Sequence, residues 1–97
     1  MAKIKDIKKD IRYLCEQLII DSLEIAEIVN EDEKQKLLSL ISEIAVFHND
    51  LISRANHPDG SDNSKLVKDY FKNISNDLLS GCSNFYDRLN KLIPSDR

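Results

Sequence analysis

The sequence predicts an all-α fold: one domain, residues 1–97, arranged as an up-down-up bundle of three long antiparallel helices. Three observations lead there. Glycine and proline occur only twice each in 97 residues, too few for a turn-rich β fold. Apolar residues recur at steps of three and four, the period of an amphipathic helix. The recurrence breaks at two places, around Asn30 and at His57-Pro58-Asp59-Gly60. A chain of this length can bury one modest core.

The first helix is expected from about Lys3 to Val29. Ile4, Ile7, Ile11, Leu14, Leu18, Ile25 and Ile28 form one stripe, with a missed beat at Asp21. Asp21 reads as a residue at the stripe's edge with its carboxylate in water. The polar side of the first half is basic, with Lys5, Lys8, Lys9 and Arg12 at i, i+3, i+4 and i+7. Asn30 then suits an N-cap, and Glu33 stands three residues on, as a capping box requires. Glu31, Asp32 and Glu33 also suit the positive end of a helix dipole.

The second helix is expected from Glu31 to about Asn56, with Leu37, Leu40, Ile41, Ile44, Phe47, Leu51, Ile52 and Ala55 on its inner face. His48 falls in the middle of that face and is expected to be buried, bonded to Tyr70, Tyr13 or a backbone carbonyl. Val46 falls opposite. Pro58 pushes His57 out of the α region, and Pro58 and Gly60 fit positions i+1 and i+3 of a type I turn. His57, Pro58, Asp59 and Gly60 are therefore read as the structural corner of the chain.

Ser61, Asp62 or Ser64 caps the third helix, which runs to about Ile93 before Pro94. Val67, Tyr70, Phe71, Ile74, Leu78, Phe85, Leu89 and Leu92 line its inner face. Gly81 interrupts it and marks a kink or a point of close packing. Counting outward from tight turns sets Leu14 or Cys15 level with Phe47, His48 and Phe71, and Asp21 level with Ile41 and Leu78. On that count Cys82 stands about ten residues, or roughly 15 Å, from Cys15. A zinc site from Cys15, Cys82, His48 and His57 would then be impossible.

Lys plus Arg number 14 and Asp plus Glu 17, a net charge of −3, which gives no support to a surface built for nucleic acid. The N-terminal residues alternate charge with apolar groups and lack the apolar core of a secretory signal. The longest wholly apolar run is three residues, so no membrane span is expected. A cytoplasmic location with free thiols follows as the expectation. There is no nucleophile motif, glycine-rich phosphate loop or paired-carboxylate signature. No catalytic, cofactor-binding or metal-binding residue is assigned, no small-molecule substrate is expected, and the chain reads as non-enzymatic.

His57-Pro58-Asp59 resembles the His-Pro-Asp tripeptide of J-domain co-chaperones, and Phe71-Lys72-Asn73-Ile74 looks like that family's Phe-Lys-x-Ile in the next helix. That resemblance, over about twenty residues, implies an Hsp70 partner whose ATPase the tripeptide stimulates. The helix before the corner departs from the basic helix of that family, carrying Glu43, Asn49 and Asp50 with only Arg54 near the corner. The whole chain is also similar to a family of short all-helical bacterial proteins, through its Lys-Asp-Ile-Lys-Lys-like start, its corner, and a Tyr-Phe-Lys-like opening of the last helix. No activity comes with that likeness.

The favoured functional expectation rests on surplus apolar residues. Ile19, Ile20 and Leu23 lie well outside the stripe of the first helix, and Leu79 and Tyr86 lie on a flank of the third. These five are the candidate interface of a small interaction module, with a homodimer as the expected assembly and a helix of another protein as the alternative occupant. Weak nucleic-acid or phosphate binding through Lys5, Lys8, Lys9 and Arg12 is the remaining alternative.

Overall fold

The structure is a computed structural model that describes residues 4–57 and 64–93, with side chains from Asp6 and, after the corner, from Lys65. It contains three helices, α1 (Ile4–Ala26), α2 (Glu31–Asn56) and α3 (Ser64–Leu92), and no strand among the described residues. They pack side by side into a rod of 53 × 19 × 16 Å. The expected all-α three-helix bundle is the observed one. Pro58, Asp59 and Gly60 lie outside the described residues, as do Ser61 and Asp62.

The helix boundaries follow local chemistry. α1 stops at Ala26, one turn before Val29, and Glu27 and Ile28 close a short turn through bonds from their amides to the Glu24 and Ile25 carbonyls. Asn30 is extended and its side-chain oxygen accepts from the Glu33 amide at 2.9 Å, which makes it the N-cap of α2. The first turn of α2 holds Glu31, Asp32 and Glu33 against the positive end of the dipole. At the other end the His57 amide closes on the Arg54 carbonyl, and the Tyr70 hydroxyl reaches the His57 carbonyl at 3.4 Å.

One core runs the length of the rod. Ile7, Ile11, Cys15 and Leu18 of α1 meet Leu37, Leu40, Ile44 and Leu51 of α2 and Ile74, Leu78, Phe85 and Leu89 of α3. Small residues admit close approach at Ser22, Ala26 and Ala55, all buried. The Ser22 hydroxyl is satisfied by the Leu18 carbonyl one turn back, at 2.7 Å. No buried side-chain nitrogen or oxygen among the described residues lacks a partner.

Gly81 is a point of close packing. A Cβ there would fall inside the van der Waals envelope of the Phe47 ring. That ring stands edge-on to Phe85, with centroids 5.3 Å apart and planes at 68°. The Arg88 guanidinium covers Phe85 from the next turn and binds Glu43 through two bonds of 2.8 and 2.7 Å. Arg54 pairs with Asp77 at 2.9 Å on the other side of Gly81.

These contacts overturn the level count. The two ion pairs are eleven residues apart on α2 and eleven apart on α3, so one antiparallel register holds between them. That register, with Tyr86 bonded to Asp21, displaces α3 along the rod by about two to three turns from the expected level. The count assumed that α3 starts where α2 ends. The connection of seven residues between the helices can reach about 23 Å and needs no such alignment. Arg88 accordingly pairs with Glu43 in the body of α2.

Two outcomes test these contacts. Gly81→Ala should lower the urea-unfolding free energy by about 1–3 kcal/mol, the cost of overpacking. On a Phe47→Ala background the same change should instead stabilise by about 1 kcal/mol, the helix preference of alanine over glycine. Asn30→Ala should cost about 0.5–2 kcal/mol in the same assay, and Asn30→Asp should leave stability nearly unchanged.

Candidate interaction surface

The five candidate interface residues divide. Ile19 and Tyr86 are partly buried and pack against the core, because the bundle gives α1 and α3 broader contact faces than a single stripe. Both leave the candidate set. Ile20 and Leu23 remain 46% and 50% exposed, and Leu79 is 62% exposed. Ile20 lies nine residues from the buried Ile11, which is about half a turn around the helix, so it faces away from both neighbours.

Tyr13, expected as a possible partner of His48, instead belongs to the same surface. It is 62% exposed and stands seven residues before Ile20, on the same side of α1. Leu79 lies seven residues before Tyr86 on α3, which places it beside the Tyr13 end of α1 in the register that Tyr86 and Asp21 fix. Tyr13, Ile20 and Leu23 along α1, with Leu79 adjoining from α3, thus line one side of the rod.

The seam between α1 and α3 is chemically distinct from that surface. The Tyr86 hydroxyl donates to the Asp21 carboxylate at 3.1 Å. Burial first, and then this bond, pushes the Tyr86 phenol up, with the charges of Asp21, Cys82 and Tyr13 adding to the shift. Asp21 is half-buried and engaged by Tyr86, a correction to the expectation of a carboxylate standing in water. Beside it a groove of about 320 Å³ opens between the helices, lined by Asp21, Glu24, Ile25, Ile28, Tyr86 and Ile93 among others.

His48 is half-buried, not buried, and its Nδ1 lies 3.0 Å from the side-chain oxygen of Asn49. The expected internal partners are elsewhere: Tyr13 faces solvent and Tyr70 is bonded to His57. Without an internal partner the imidazole turns its polar edge to the surface. His57 is exposed at the end of α2. Lys9 and Arg12 are exposed and Lys8 is half-buried, while the Lys5 side chain lies outside the described residues. Arg54, the one cation near the corner on α2, is engaged by Asp77.

Cys15 and Cys82 are both buried and free. The displaced register brings Cys82, one turn before Tyr86, down to the neighbourhood of Cys15, so the two thiols do not stand the expected ten residues apart. Burial pushes the Cys15 thiol up to about 11, and a charge on Cys82 adds to it. Burial also pushes Cys82 up. Among the described residues no group of three or more His, Cys, Asp and Glu is placed to hold a metal ion. No described helix is long and apolar enough to cross a membrane.

Comparison with models of protein families, with curated proteins and with solved structures finds no match to this chain.

The raised thiol pKa values have a consequence for stability. An unfolded chain releases a cysteine proton near pH 8.5, whereas folded Cys15 holds it to about 11. The folded-state value is raised, so the contribution is complete below about pH 8.5 and is lost as pH climbs towards 11. Urea midpoints should fall over that window, and the fall should be shallower in the Cys15→Ala/Cys82→Ala protein. Equal slopes in the two proteins would contradict this account.

Proposed function

We propose that the chain is a non-enzymatic interaction module that self-associates through the outer side of α1. One observation carries the reading: Tyr13, Ile20 and Leu23, each about half exposed or more, line the side of α1 that faces away from the bundle. Single exposed apolar residues are ordinary. Three large ones within eleven residues of one helix face, with Leu79 adjoining, are the pattern of a surface that is covered in use. A same-patch contact across a two-fold axis is the commonest way to cover it. In the groove between α1 and α3 the central phenol and carboxylate are bonded to each other.

Light scattering across a concentration series tests the proposal. The purified protein should show twice the 11.2 kDa mass of one chain at high micromolar concentration. Ile20→Lys and Leu23→Lys should each return it to the monomer mass without loss of helicity. A wild-type monomer throughout the series would remove the reading, as would variants that keep the dimer mass.

A further inference from the structure

Charge along α1 is segregated. Residues 3–12 carry five cations, Lys3, Lys5, Lys8, Lys9 and Arg12, against Asp6 and Asp10. From Tyr13 to Val29, before α2 begins, there are four acids, Glu16, Asp21, Glu24 and Glu27, and no Lys or Arg at all. The division falls within the exposed apolar side of the helix, between Arg12 and Glu16. Resting on self-association through α1, we infer that the second copy lies antiparallel on that helix, its basic half over the acidic half of the first.

The geometry favours this pairing over a parallel one. A two-fold axis at Glu16 and Gln17 brings Tyr13 over Ile20 of the second copy. Lys9 then falls level with Glu24 of that copy and one turn from Glu27, and Arg12 falls level with Asp21, within the same acidic half. Lys9, Arg12, Glu24 and Glu27 are all exposed, so each is free to reach across. The two-fold repeats every one of these meetings. A parallel arrangement sets cations over cations and acids over acids, and each such match is unfavourable.

Charge reversal separates the two arrangements. Lys9→Glu/Arg12→Glu should weaken dimerisation about tenfold or more in analytical ultracentrifugation at low salt, and so should Glu24→Lys/Glu27→Lys. The protein carrying all four changes should recover the wild-type dissociation constant to within about threefold, because the four substituted charges meet again with their signs exchanged. Raising salt from about 50 to 500 mM should weaken the wild-type dimer and leave either half-reversed protein less affected. Circular dichroism should show all three variants as helical as the wild type, since every substituted side chain is exposed. Half-reversed proteins that dimerise like the wild type, while Ile20→Lys still dissociates them, would overturn the antiparallel pairing and leave self-association standing. A fourfold variant that stays monomeric would overturn it equally. A monomeric wild type would instead overturn the reading on which the pairing rests.

Discussion

The Phe47 ring seated on the bare Cα of Gly81 is the contact on which the arrangement of α2 and α3 depends. It accepts one register only. A slide of one helical turn would bring Asp77 or Phe85 beneath the ring in place of glycine, and neither leaves room. The surrounding interactions conform to that choice. Phe85 meets the ring edge, Arg88 covers Phe85 and grips Glu43, and Arg54 closes on Asp77 one turn away from the glycine. Exposed ion pairs contribute little one by one. The bond to Arg88 does hold the Glu43 carboxyl below its ordinary range. They act as matched ends of a register that steric exclusion selects.

Much of this was legible in the chain because it is local. Asn30 and Glu33 announce an N-cap through their spacing alone, and α2 begins where they say. The stripes at three- and four-residue steps contain most of the buried core, missing Cys15, Ala26 and Cys82. Gly81 was recognisable as an irregularity, because glycine has no cause to sit within a long helix unless something approaches closely. What approaches it could not be read, since Phe47 comes from another helix at a register set by packing.

Register is also where the reading failed. Helix periodicity says which side of a helix is apolar but carries no information about how far one helix slides past another. Asp21, Tyr86, Cys15 and Cys82 were misplaced for that single reason. Ile19 and Tyr86 were misjudged for a second: in so slender a rod a helix touches two neighbours, and residues to either side of the central stripe are drawn into contact. Tyr13, expected as a possible partner of His48, faces outward instead, and its alignment with Ile20 emerges only once the burial is known.

The chain has no tryptophan and three tyrosines, and the three stand at different stations of the rod. Tyr13 faces solvent on the outer side of α1, Tyr70 reaches the end of α2, and Tyr86 gives its proton to a hydrogen bond with Asp21 across the α1–α3 seam. A carboxylate held against a phenol hydroxyl quenches its emission by drawing the proton in the excited state. Tyr86 is therefore dark while the seam is closed and brightens when α3 leaves α1, whereas Tyr13 responds to whatever covers the outer side. Intrinsic fluorescence of this protein, with one tyrosine retained at a time, resolves the opening of the bundle from the occupation of its surface without any attached dye.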